Sequence, residues 1–111
     1  MKIDVTFKNI RPRQELRDRA EVLYGKLERF LDPSSEGRLM VNVEHGDAVL
    51  ELIVSAHGET HTVEEEDEEL RPALDKLFHK MEIRLRRSKE KRTDRHRGQK
   101  GDEDGFVVDA P

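Results

Sequence analysis

The stretch Arg38–His57, RLMVNVEHGDAVLELIVSAH, decides how the chain folds. Its first half alternates, with Leu39, Val41 and Val43 on one side. Gly46-Asp47 then gives a turn signal, and Ala48, Leu50, Leu52, Val54 and Ala56 return with the same period of two. That period marks half-buried strands, and a glycine-containing turn between two of them predicts an antiparallel hairpin. Downstream, His57-Gly58-Glu59 is a second turn, followed by a short strand around Thr60–Glu64. Upstream, Ile3, Val5 and Phe7 alternate within Lys2–Lys8 and predict a further strand.

Two segments switch to a helical period. Pro12 suits the first turn of a helix, after which Leu16, Ala20, Leu23, Leu27 and Phe30 recur at helical spacing through about Leu31, where Asp32-Pro33-Ser34-Ser35 stops it. In Leu70–Arg92, LRPALDKLFHKMEIRLRRSKEKR, residues Leu74, Leu77, Phe78, Met81 and Leu85 fall on one face. Asp67 is the expected N-cap, and the acids of Glu64–Glu69 suit the positive helix end. The predicted fold is α+β in the order β-α-β-β-β-α: a four-stranded, mostly antiparallel sheet with two helices packed on one face. Residues 1–92 form this domain; the polar, glycine-containing segment 93–111 is expected to be a disordered tail, with Phe106-Val107-Val108 its one apolar cluster.

Composition narrows the function. At 111 residues there is room for one domain with a modest core, while 33% hydrophobic against 41% charged residues predicts that part of the chain does not pack. With no cysteine there is no disulfide framework, thiol nucleophile or cysteine zinc site. The amino terminus carries no signal-peptide run and no stretch suits a membrane span, so a cytoplasmic protein is expected. The formal net charge of −4 hides a strong segregation. From Glu36 to Glu69 a single base, Arg38, faces eleven acids, whereas from Arg71 to Arg97 eleven bases face four acids. This polarity locates where a polyanion would bind.

On the second helix Lys76, Lys80, Arg84, Arg87 and Lys91 form a stripe beside the apolar face, while Asp75, Glu82 and Glu90 fall largely on the remaining side. A merely solvated face is one account of such a row. Like charges at i,i+4 repel, however, and a row of them is offset by an external anion such as a nucleic-acid backbone. Lys26 and Arg29, near the end of the first helix, would widen the patch. The acidic run Glu64–Glu69 reads as a solubilising loop that favours the helix start; a protein-interaction module using that run and the tail is the alternative function, and a general double-stranded-RNA binder a third. His57 and His61 in HGETH lack the helical context of a zinc motif, His79 lies on the solvent side, and no metal site or cofactor is expected. No nucleophile–base pairing or phosphate loop is evident, so an enzyme is not expected.

Two motifs carry a family resemblance. Lys26-Leu27-Glu28-Arg29-Phe30 is similar to the Lys-Leu-Glu-basic-aromatic motif that ends the first helix of ribosome hibernation promoting factors. Ala73-Leu74-Asp75-Lys76-Leu77, continuing through Lys80-Met81 to Leu85 and Arg87, resembles that family's second helix. The resemblance covers about Lys2–Arg92 and implies a fold like that of double-stranded-RNA-binding domains. It also implies a factor seated on small-subunit rRNA near the decoding centre, blocking the mRNA and tRNA sites in stress or stationary phase. Carried over by position, the RNA-contacting residues are Lys76, Lys80, Arg84, Arg87, Lys89 and Lys91, with Lys26 and Arg29. The implied partner is the small ribosomal subunit, with no small-molecule substrate and a monomer off the ribosome. Where many relatives begin the second helix with Asp-Met-Tyr, this chain has Glu69-Leu70-Arg71. The segment containing Phe106 resembles the short tails of ribosome-associated inhibitors of the protein Y type, which implies a short-form member without the dimerising domain of long relatives.

Overall fold

The computed structural model describes residues 3–100, with side chains through residue 93; the Phe106-Val107-Val108 cluster lies outside the described residues. The elements run β1 (Ile3–Lys8), α1 (Gln14–Gly25), a 3-10 turn (Glu28–Phe30), β2 (Glu36–Glu44), β3 (Asp47–Ala56), β4 (Glu59–Asp67) and α2 (Leu70–Lys100). The expected order and α+β class hold.

The hairpins explain the sheet. β2, β3 and β4 are antiparallel and joined by His45-Gly46 and His57-Gly58. All four turn residues have positive φ, 54° and 83° in the first turn and 54° and 77° in the second, as two-residue turns of type I′ require. The first turn sits one residue earlier than the Gly46-Asp47 signal, because Asp47 already pairs with Glu44. β1 lies parallel to β2, with Ile3 opposite Gly37 and Lys8 opposite Asn42. Parallel neighbours need a crossover, and α1 supplies it.

Both helices pack on one face of the sheet. Leu39, Val41, Leu50, Leu52 and Val54 from the strands meet Leu16, Ala20 and Tyr24 of α1 and Leu74, Leu77, Phe78, Met81 and Leu85 of α2 in one buried cluster. Burying an aliphatic side chain of this size is worth roughly 1.5–3 kcal/mol, so α2, with the longest apolar stripe, contributes most to holding the layers together. Tyr24 packs so closely on β2 that a Cβ on Gly37 would come within 2.6 Å of its ring, which is why this strand position carries no side chain. The Tyr24 hydroxyl is buried with no hydrogen-bond partner among the described residues. Burial first, and the charge of Glu36 second, push its ionisation above the ordinary phenol value.

Several boundaries depart from expectation. The α-helical part of α1 stops at Gly25, not near Leu31; a 3-10 turn carries the chain on, so that Leu27 and Phe30 stay buried. Pro12 lies outside α1, whose N-cap is Arg13. The stop at Asp32 is a side-chain-built turn: Ser35 Oγ donates to Asp32 Oδ1 at 2.6 Å and accepts from the Asp32 amide at 2.9 Å. The Ser35 hydroxyl is also the main cause holding the Asp32 carboxyl below its ordinary value. β4 runs to Asp67, so most of the acidic run is strand and not loop, and Asp67 ends a strand instead of capping α2. α2 continues past Arg92 to Lys100, beyond the end of the apolar period.

Among the described residues one polar side chain, His61, enters the core layer. His61 on β4 is 8% exposed beneath α2, with Nε2 3.6 Å from Glu59 Oε1. Burial holds its pKa below 6.5; Glu59 opposes this, and Arg84 and Arg92 reinforce it. The unfolded chain therefore takes up a proton near 6.5 while the folded chain resists until lower pH, so this stability is present above 6.5 and is lost as pH falls through the folded value. The melting temperature should accordingly fall as pH drops below 6.5, and His61→Gln should flatten that slope; an identical pH profile in the variant would exclude His61 as its source. Tyr24→Phe should stabilise the domain by roughly 1–3 kcal/mol by removing an unsatisfied buried hydroxyl, read as a higher denaturation midpoint in urea. A lower midpoint would mean that the hydroxyl is bonded in solution.

Candidate nucleic-acid interface

α2 begins at Leu70, with Pro72 in the first turn, where a missing N–H costs nothing. Its buried face, Ala73, Leu74, Leu77, Phe78, Met81 and Leu85, fixes the rotation of the helix on the sheet. At 100° per residue the charged positions then fall on two flanks. Lys76, Lys80, Arg84, Arg87 and Lys91 lie toward β4, whereas Asp75, Glu82, Arg86 and Lys89 lie toward α1 and the 3-10 turn.

The β4 flank is not a uniform row of free cations. Along β4 the inward row passes from His61 and Val63, both buried, to Glu65 and Asp67, both half-buried. These two carboxylates face the first half of α2. Lys76 Nζ donates to Asp67 Oδ2 at 2.6 Å; Lys80 Nζ lies 2.7 Å from Glu65 Oε1 and donates to the Glu64 carbonyl at 2.8 Å. The hydrogen bond from Lys76, followed by one from the Glu69 amide, holds the Asp67 carboxyl below its ordinary value, and the same contact holds the Lys76 ammonium above its own. The expectation of a stripe needing an external anion is thus corrected for its first two members: β4 supplies the anions. Arg84, Arg87 and Lys91 are exposed and make no ion pair among the described residues.

The α1 flank holds a second cationic group. Phe30, at the end of the 3-10 turn, has three cations over its ring: Arg29 Cζ at 4.7 Å, Lys89 Nζ at 5.8 Å and Arg86 Cζ at 6.0 Å from the centroid. Glu82 accepts from Arg86 at 2.7 Å and lies 3.7 Å from Arg29. Arg29 and Lys89 of the expected set are therefore neighbours, but across α2 from the Lys76–Arg87 stripe. Lys26, at the C-cap of α1, is exposed with no ion pair among the described residues. The sequence reading passes over Arg86, whose signal is its place on the flank shared with Lys89, and over Phe30 as a ring that gathers cations. Nearer the start of α2, Arg19 of α1 closes on Asp75 at 3.1 Å, tying the helices together.

The two flanks converge on one region. From Arg84 to Arg92 there are six bases and one acid, and this half of α2 carries cations on both sides. Electrostatically it can hold phosphates; the first half cannot do so without breaking its own pairs. Among the described residues no group of histidines, cysteines and acids is arranged to hold a metal ion, and no described helix is long and apolar enough to cross a membrane.

Comparison with known proteins fits this architecture. The Thermus thermophilus Protein Y N-terminal domain superposes with a TM-score of 0.73 at 26% identity, covering 78% of this chain and 98% of that one. A ribosomal subunit interface protein from Coxiella burnetii gives a TM-score of 0.66 at 23% identity, covering 81% of this chain and 99% of its own, and so shares the fold. No significant match is found among curated proteins. The sequence profile described as Sigma 54 modulation protein / S30EA ribosomal protein matches residues 3–93. That match runs from the first residue of β1 into α2 past the last buried position, and the chain belongs to the Sigma 54 modulation protein / S30EA ribosomal protein family.

Proposed function

We propose that this protein is a ribosome hibernation factor that binds small-subunit rRNA near the decoding centre and silences translation by occupying the mRNA and tRNA sites. The observation that carries this reading is the convergence of both cationic flanks of α2 on Arg84–Arg92, in a chain of formal net charge −4 that belongs to a ribosome-associated family. The contacts with phosphate are assigned to Arg84, Arg87 and Lys91 on one flank and, on the other, to Lys89 and to Arg29, whose 3.7 Å contact with Glu82 is loose and shared with Arg86, with Lys26 at the margin. Lys76 and Lys80, which the resemblance also implies, stand behind these because β4 already holds them. The mechanism is non-enzymatic: exclusion of ligands by a rigid domain held through phosphate neutralisation and counterion release. The cell compartment is that of the ribosome, the cytoplasm. The alternative of a protein-interaction module is weakened by the engagement of Glu65 and Asp67 with lysines of the same chain.

The test is co-sedimentation with isolated small ribosomal subunits over a salt series. Wild-type protein should travel with the subunit at low salt and be released as salt rises. Replacing Arg84, Arg87 and Lys91 together by Ala should reduce the salt slope of log K by about three while leaving the circular dichroism unchanged. Normal subunit binding by that folded triple variant would refute the site, and absence of the wild-type protein from ribosomal fractions would refute the function.

A further inference from the structure

We infer that Glu65 and Asp67 are specificity-determining residues: they act as built-in competitors for phosphate, shortening the cationic footprint of α2 and setting the domain against regular duplex RNA. This rests on the RNA-binding reading above. The Glu65 and Asp67 carboxylate oxygens stand 2.7 and 2.6 Å from the ammonium groups of Lys80 and Lys76, where a phosphate oxygen would otherwise sit. Charge-assisted contacts of this length are among the stronger hydrogen bonds, and one of them is doubled, since Lys80 also donates to the Glu64 carbonyl.

An incoming phosphate must do more than exchange with a carboxylate. It also enters the longer-range field of Glu64 and Glu66, on the outward side of β4, and of Glu68 and Glu69, between β4 and α2, all exposed. The six acids of Glu64–Glu69 outnumber the two lysines held by Glu65 and Asp67, so the segment keeps a surplus of negative charge after pairing. Two exposed ion pairs alone would be a weak barrier; the surrounding acids turn the pairing into exclusion.

The length of the remaining footprint decides what fits. A backbone following α2 from Lys76 to Lys91 would run along about 22 Å of helix, whereas from Arg84 to Lys91 it has about 10 Å. Recognition of a regular RNA duplex by shape spans two minor grooves and the phosphates between them, which needs the longer track. The shorter one suits irregular RNA that presents a few phosphates in a tight arc, gripped from both flanks of the helix. The acids of β4 therefore select between RNA shapes without touching RNA.

The test compares the full-length wild type, Glu65→Gln/Asp67→Asn and Glu64→Gln/Glu66→Gln on an RNA duplex of arbitrary sequence long enough to span two minor grooves, titrated over a potassium chloride series. The two double variants remove the same charge, but only the first frees Lys76 and Lys80. Glu65→Gln/Asp67→Asn should bind the duplex at least about tenfold more tightly at low salt, with a slope steeper by about two. Asp67→Asn alone should steepen it by about one, and Glu64→Gln/Glu66→Gln should keep the wild-type slope. Equal slopes in all four proteins, or equal changes in both double variants, would overturn the inference. Small-subunit binding by the wild type is scored separately, so its absence counts against the proposed function and not against this competition.

Discussion

The rotational setting of α2 on the sheet is the constraint on which the rest depends. Leu74, Leu77, Phe78, Met81 and Leu85 are all nearly inaccessible, and turning the helix by one position would expose part of this stripe and bury a charge. Exposing one such side chain forfeits roughly 1.5–3 kcal/mol, and burying an unpaired ammonium costs more again. The helix is therefore locked, and every charge along it points where the stripe sends it. Lys76 and Lys80 meet β4, Asp75 meets Arg19, and Arg86 and Lys89 meet Phe30. A single apolar period thus sets the electrostatics of the whole surface.

Much of this architecture is legible in the residues themselves. The period-two runs of β2 and β3 and the apolar stripes of both helices depend only on side chains alternating or recurring toward one layer. Boundaries were harder to read where polar residues carry the structure. Gly25 ends the α-helix while burial of Leu27 and Phe30 continues, because a 3-10 turn preserves the face without the period. β4 reads as short in the sequence because its last residues are acids, yet backbone pairing to β3 is indifferent to side-chain charge, and Glu65 and Asp67 continue it in register with Leu50 and Ala48.

The site divides along the same line. The position of each cation on α2 follows from spacing and was legible; its partner was not. That Lys76 and Lys80 are neutralised internally requires knowing that residues 65 and 67 share an inward row on the neighbouring strand, a consequence of β-register that no motif in either segment announces. That Arg29 joins Lys89 and not Arg84 likewise depends on the side of α2 against which the 3-10 turn docks. Long-range pairing separates a charge census from a working surface.

The parallel pairing of β1 with β2 has a consequence for the order in which the fold assembles. β2, β3 and β4 are linked by two-residue turns and can zip locally, whereas Ile3 finds Gly37 only after the intervening chain has wound α1 and crossed back. Loop closure of that kind is slow and is rewarded late. β1 is also an edge strand whose Ile3, Val5 and Phe7 are only half-buried, and Arg17 of α1 donates to its Val5 carbonyl at 3.2 Å. The amino-terminal strand thus closes the sheet through its longest-range pairing, at the edge remote from the acidic strand.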